Sequence, residues 1–329
     1  MIILLAAMTM FLAFSNGAND NFKGFATSWG AGTLSYRLAL ILCTVATLAG
    51  GLASLYLAEG LLVQFSGKGL VPDELARTAP FGLAVAAGAG ATVMLATRLG
   101  FPISTTHALV GGLTGAGLAS GGAVSWGALG SGFMLPLLVS PILAASAGLI
   151  LFVFADWFAT LKPKQAIASP GVRFDQPESP KPARDGAHIA SGVAICFARA
   201  VNDTPKLAAL MLGAGALSAR GSILVTALIM VAGGWLLSRR VAETMSLRIS
   251  EIAPAQGIMA NLVTATLVLS ASKLGVPVST THVSVGSIIG TGAAAGRLNL
   301  STVSSVLLSW VLTLPCAAVI GGCAAWLAG

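Results

Sequence analysis

Charge is scarce in this chain: only 9% of its 329 residues are Asp, Glu, Lys or Arg. A soluble domain carries about 25%, so a protein folding in water is excluded. With 56% hydrophobic residues and a mean hydropathy of +0.89, the solvent that fits is a lipid bilayer. Cysteine is scarce too. Cys43, Cys196, Cys316 and Cys323 lie in apolar stretches with neither metal-ligand nor disulfide spacing, so they read as small buried hydrophobes and no metal is expected. Residues 1–13 lack a basic n-region and run directly into the first polar motif, so no cleaved signal peptide is expected. The formal net charge of +7 would suggest a nucleic-acid partner for a soluble chain. Here it reflects loop asymmetry, and no nucleic-acid partner is expected.

Apolar runs long enough to span, about 20 residues each, can be drawn through 1–18, 38–58, 80–97, 102–120 and 127–155. Five more cover 187–212, 219–237, 252–272, 276–296 and 302–328. Between them, residues 159–186 are polar and proline-rich and carry Lys162, Lys164, Arg173, Lys181 and Arg184. Such a stretch reads as a flexible linker, and its basic excess places it in the cytoplasm. The organisation expected is a first membrane repeat over 1–158, the linker over 159–186 and a second repeat over 187–329. Five spans per half make the repeats inverted in topology, with both termini outside the cell (inner) membrane. The fold class is an all-α polytopic membrane protein, and the oligomeric state stays open, a homodimer among the options.

The duplication is legible in the motifs. GFPISTTHALVGGLTGAG from Gly100 returns as GVPVSTTHVSVGSIIGTG from Gly275. Asn19-Asp20 returns as Asn202-Asp203, and Pro141 as Pro315, in the same order at nearly constant displacement. A duplicated, very apolar chain whose most alike segments are polar has the form of a secondary transporter.

Two constellations carry the chemistry. In each STTH segment a proline precedes hydroxyl residues that open a glycine-dotted apolar helix, which is the grammar of a helix N-terminus. Such a start inside the membrane implies a broken or re-entrant helix, allowed only where it is buried or lines a cavity. Its unpaired N–H groups and the helix dipole favour an anion. Ser104, Thr105 and Thr106 with Ser279, Thr280 and Thr281 would then face one oxyanion from two sides. Ordinary capping of their own helices is the competing reading. His107 and His282 close the motifs and read first as helix-packing hydrogen-bonders, with proton sensing the lesser reading.

The second constellation is NGANDNFKG at Asn16–Gly24 and RAVNDTPK at Arg199–Lys206. An aspartate at membrane depth is a functional hypothesis by default. The spacing of Asp20 with Lys23 and of Asp203 with Lys206 allows an ion pair on a helical turn. The glycines before Asp20 and Pro205 after Asp203 suggest helices broken at this point. Arg199 stands where the first copy has Asn16.

These paired motifs resemble the inorganic phosphate transporter (PiT) family, whose members carry a GAND-type signature near the start of each half and a P-x-S-T-T-H segment in each. The resemblance covers essentially the whole chain apart from the linker. It implies inverted repeats around a central oxyanion site, with coupling to sodium or protons and no cofactor. Carried over by position, Asn19, Asp20, Asn202 and Asp203 form the substrate and cation region, with the two Ser-Thr-Thr runs on the anion. Lys23 and Lys206 depart from the family's small neutral residues. Two fixed ammonium groups could supply charge that sodium supplies elsewhere, which favours proton coupling, through Asp20 or Asp203, or simple exchange over sodium coupling and puts both lysines at the substrate. The expected function is phosphate transport by alternating access. Sulfate transport on the same fold and an anion channel are the alternatives. Phosphate comes first because its O–H groups can donate to a carboxylate, whereas sulfate at neutral pH has none to offer. An enzyme is disfavoured because two equal motif copies suit alternating access better than one-sided chemistry.

Overall fold

The computed structural model describes residues 1–67, 69–161, 182–213 and 217–328. Most of the expected linker, with Lys162, Lys164, Arg173 and Lys181, lies outside the described residues. Arg184 falls in the first turn of the helix that follows.

The regular elements among the described residues are helices, and Ser250 and Leu298 form an isolated bridge. The first half runs α1 (Ile2–Asp20), a 3₁₀ turn (Asn21–Phe25), α2 (Ala26–Gly30), α3 (Tyr36–Leu57), α4 (Glu59–Gln64) and α5 (Asp73–Ala76). It continues through α6 (Ala79–Leu99), α7 (Thr105–Ala119), a π-helical turn (Ala128–Met134) and α8 (Leu135–Leu161). The second half runs α9 (Pro182–Gly213), α10 (Ala219–Leu237), α11 (Arg239–Glu243), α12 (Pro254–Lys273), α13 (Thr280–Ala294) and α14 (Leu300–Ala328), with a π-helical turn (Thr244–Arg248) after α11. The starts follow from local chemistry. Ser35, Thr78, Ser104, Ser218 and Ser279 each accept a bond from a backbone N–H three residues on, which satisfies an otherwise orphaned donor. α6 stops at Gly100 and α12 just before Gly275; at φ of 80° and 68° both glycines adopt the left-handed conformation that side chains resist.

Seven helical stretches among the described residues are long and apolar enough to cross a membrane. α7 and α13 are not among them. At 15 residues each they reach about 22 Å, short of the ~30 Å hydrocarbon core. The spans drawn over 102–120 and 276–296 are therefore corrected to half-helices, because Pro102–Ser104 and Pro277–Ser279 are consumed by non-helical chain. α9 has the length to cross, at 32 residues, but is too polar to stand among the seven.

Helix packing repeats with the halves exchanged. α7 packs on α14 and α13 on α8; α1 packs on α6 and α9 on α12. Close approach explains the glycines in α7 and α13. A Cβ on Gly115 would lie 2.0 Å from the carbonyl of Ala318, and one on Gly290 would lie 2.0 Å from that of Ala145. α1 and α9 pass in opposite directions: Asn16 meets Arg199, whereas Ser28, beyond the break, donates to the carbonyl of His188. α1 and α6 run side by side in one direction, with Leu5 beside Gly82 and Asn19 beside Thr97.

The expected helix break after the Asn-Asp pair is present in one copy only. α1 ends at Asp20 and tightens into 3₁₀ geometry, but α9 runs unbroken through Asp203 and Pro205. A proline removes one N–H from the ladder, and the surrounding helices hold α9 together without it.

Candidate functional site

Among the described residues, the buried Asp, Glu, Lys and Arg side chains are five: Asp20, Lys23, Arg199, Asp203 and Lys206. Asp20, Lys23, Asp203 and Lys206 gather where α1, α9 and the first turns of α7 and α13 converge, and Arg199 lies beside them against Asn16, Asn21 and Thr47 of α3. Three bases facing two carboxylates leave the cluster formally positive. Since a buried charge must be paired or hydrogen-bonded, the bonds of these five define the site.

Lys23 pairs with Asp20, donates to Thr281 Oγ1, and lies 3.5 Å from the carbonyl of Ile103. Lys206 lies 3.8 Å from Asp203 and donates to Thr106 Oγ1 at 2.9 Å and to the carbonyl of Val278 at 2.8 Å. Each ammonium thus sits among oxygens of both halves: a carboxylate from its own, a threonine hydroxyl from the other, and a main-chain carbonyl at the start of α7 or α13. Lys206 also lies 5.5 Å from the centre of the Phe65 ring. The other carboxylate oxygens bond to the first hydroxyl of each motif. Thr105 Oγ1 donates to Asp20 Oδ2 and Thr280 Oγ1 to Asp203 Oδ2, both at 3.4 Å.

The remaining predicted residues divide by role. Ser104 and Ser279 cap their own helices, accepting the N–H of His107 and of His282 at 3.0 and 3.2 Å. Asn19 and Asn202 fasten the non-helical chain before each half-helix. Asn19 accepts the N–H of Ile103 at 3.1 Å and donates to the carbonyl of Phe101 at 3.0 Å. Asn202 bonds Ser272 and reaches the carbonyl of Val278. All ten expected substrate residues and both aspartates are buried around one locus. Threonines and lysines face the carboxylates, as does Asn202, whose Nδ2 donates to Asp203 Oδ1 at 2.9 Å, whereas the serines and Asn19 hold the frame.

Four contributors lie outside the predicted set: two side chains and two main-chain carbonyls. Asn16 Nδ2 bridges Asp20 Oδ2 at 3.1 Å, Thr105 Oγ1 at 3.0 Å and Asp203 Oδ2 at 3.5 Å. Its position one turn before Asp20 on the same helix face was the available signal. Arg199 donates to Asn21 Oδ1 at 2.9 Å and Thr47 Oγ1 at 2.7 Å, and its other terminal nitrogen reaches Asn16 Oδ1 at 3.5 Å. The carbonyls of Ile103 and Val278 had no signal at all, since a main-chain group leaves no trace in residue identity. His107 and His282 pack as expected but by ring contact, 4.5 Å between centroids. His282 also stacks on Trp310 at 3.8 Å. His107 Nδ1 and both nitrogens of His282 have no hydrogen-bond partner, so the expected hydrogen bonding is absent at His282 and at one nitrogen of His107.

Among the described residues no group of three or more His, Cys, Asp or Glu could hold a metal ion. The arrangement suits an oxyanion: surplus positive charge, hydroxyl donors, and two helix N-termini at which the capping serine takes one first-turn N–H.

Comparison with known proteins points the same way. The family model described as "Phosphate transporter family" matches residues 16–321. The chain is 28% identical to a "Probable low-affinity inorganic phosphate transporter" of Mycobacterium bovis, over 98% of this chain and 76% of the relative. It is 26% identical to "Inorganic phosphate transporter 2-1, chloroplastic" of Arabidopsis thaliana, over 96% and 70%. A solved structure titled "The sodium-dependent phosphate transporter" superimposes with a TM-score of 0.84 at 24% identity, covering 99% of this chain and 98% of the other. At that identity the likeness speaks for the fold.

Proposed function

We propose, from the premise that this chain belongs to the phosphate transporter family, that it carries inorganic phosphate by alternating access of the Asp–Lys–Thr cluster. The site is buried in this structure, with its aspartates, lysines and threonines bonded to one another, while Arg199 Nε and Asn21 Nδ2 have no partner among the described residues. On binding, phosphate takes the place of Thr281 and Thr106 on the two ammonium groups and rests on the first turns of α7 and α13. Arg199 supplies a third cation close by. The observation that carries this reading is that both buried aspartates and both buried lysines bond to residues at the two half-helix starts.

Coupling to protons follows from the lysines. Each ammonium occupies an oxygen cage of carboxylate, hydroxyl and carbonyl, the ligand set a hard cation would use. With that charge fixed in the protein, sodium has no vacancy to fill, and Asp20 or Asp203 carries the proton instead. The opposite running of α1 and α9 supports inverted repeats. If the non-helical residues 101–104 and the half-helix α7 together make one pass, beside α1 with α2, α3, α6 and α8, each half has five, which would put both termini on one side and the linker on the other, the cytoplasmic side of the cell membrane.

Discrimination against sulfate rests on a carboxylate accepting a phosphate O–H. Asp20 and Asp203 can do this only when a threonine or lysine releases them. The test is uptake of labelled phosphate and labelled sulfate into proteoliposomes, with sodium and pH gradients applied separately. Phosphate uptake driven by the pH gradient is expected; equal uptake of sulfate would refute the carboxylate's role in selection.

A further inference from the structure

The two halves share their site but not what lies between the site and the membrane faces. Beyond Lys23, towards the end of the molecule where the linker attaches, runs a column of buried polar side chains. His188 Nε2 bonds Thr27 Oγ1 at 3.0 Å, and its Nδ1 bonds Thr33 Oγ1 at 3.2 Å. Thr27 donates to Asn261 Oδ1 at 3.0 Å, and Asn261 Nδ2 to Ser191 Oγ at 2.9 Å. One turn nearer the site, Thr264 and Ser287 hydroxyls meet at 2.7 Å. Gln256, also buried at this end, leaves its Nε2 without a partner.

The duplication supplies an internal control. By the spacing of the paired motifs, the positions of His188, Thr27, Asn261 and Thr264 are held in the other half by Leu5, Leu210, Ala86 and Ala89. The equivalence is physical as well as sequential. A Cβ on Gly82 would meet the Leu5 side chain at 3.2 Å, and a Cβ on Gly257, its counterpart, would meet His188 Nε2 at 2.3 Å. The same helix crossing is thus packed with leucine in one half and with an imidazole in the other. Leu5, Leu210, Ala86 and Ala89 are all buried, so hydrocarbon fills this architecture well. Burying hydroxyls, amides and an imidazole at the duplicate positions costs free energy that packing does not require.

We infer that this column is the passage by which phosphate moves between the central site and the linker side, held shut in this structure by its own hydrogen bonds. When the helices part, water and the anion replace these bonds, and the unpaired Gln256 amide marks where the seal is incomplete. The apolar duplicate forms a hydrocarbon seal towards the opposite face. The inference rests on the central site being the phosphate site. It assigns His188, Thr27 and Asn261 as positioning residues of the path.

The test uses single cysteines in the full chain, reconstituted and treated with an anionic, membrane-impermeant thiosulfonate in the presence of phosphate. Peptide mass spectrometry identifies the labelled residue, so the native cysteines stay in place. Thr27→Cys and Asn261→Cys should label readily, and Leu210→Cys and Ala86→Cys far more slowly, because hydrocarbon-lined positions hold little water. A second variant, His188→Leu with Asn261→Ala, gives this half the residues of the other; it should lose most of its uptake rate while retaining phosphate binding. Absence of labelling at Thr27→Cys and Asn261→Cys in protein that still takes up phosphate would overturn the path and leave the central site standing. Equal labelling of both halves would overturn its one-sidedness. Failure of the central site is seen separately, as unmodified protein that neither binds nor takes up phosphate.

Discussion

Truncating Lys23 probes the cation cage from within. Its ammonium pairs with Asp20, donates to Thr281 and faces the carbonyl of Ile103. In Lys23→Ala, Thr281 still bonds that carbonyl. Asp20 keeps Asn16 and Thr105 on Oδ2 but loses the cation on Oδ1. Removing one partner of a buried ion pair costs about 3–5 kcal/mol, to be read as a loss of thermal stability in detergent. Binding suffers further. A unit charge about 4 Å from an uncompensated carboxylate is repelled by about 4 kcal/mol at an effective dielectric of 20, roughly a thousandfold in affinity. Lys23→Ala with Asp20→Asn removes the repelling charge and should recover part of that loss. Sodium should also restore binding to the single variant, because the vacated oxygens of Asp20, Thr281 and Ile103 form a hard-cation ligand set. Phosphate binding by calorimetry, with and without sodium, reads all three. If Lys23→Ala binds normally, or the double variant binds no better than the single, Lys23 is a structural partner outside the site.

Thr105→Val and Thr280→Val each remove a hydroxyl bonded to a carboxylate, so phosphate affinity should fall by about 1.5–3 kcal/mol in both; Ser104→Ala should instead cost about 1 kcal/mol of stability with affinity unchanged. Cys43 and Cys196, 3.3 Å apart across α3 and α9, should form a disulfide under diamide. The two halves would then stay together on a non-reducing gel after proteolysis within 162–181, and separation would contradict the α3–α9 packing. Gly115→Val and Gly290→Val should each lower thermal stability severely, since a Cβ there would stand 2.0 Å from a carbonyl of α14 or α8; mild effects would contradict the seating of the half-helices.

Much of this was legible because burial in lipid forces polar residues to declare themselves. Asp20, Lys23 and the STTH runs stood out against an apolar background, and their second copies removed chance as an explanation. Depth and direction were harder. Hydropathy over 102–120 cannot distinguish a span from a half-helix, because Pro102–Ser104 cost the helix its first turn without lowering apolarity. Pro205 suggested a break that surrounding helices suppress. Roles within a motif were harder still: Ser104 and Thr105 are adjacent hydroxyl residues, yet one caps a helix and the other reaches a carboxylate, a difference set by helical phase. His188 was silent in the sequence because its significance lies in Leu5 occupying the duplicate position.

The central claim is that a fixed ammonium does the work of a coupling cation, and uptake without sodium tests it most directly. Proteoliposomes holding the unmodified protein, in sodium-free buffer with an inward proton gradient, should accumulate labelled phosphate, and added sodium should leave the rate unchanged. Uptake strictly dependent on sodium would contradict the claim and reduce Lys23 and Lys206 to structural partners of Asp20 and Asp203.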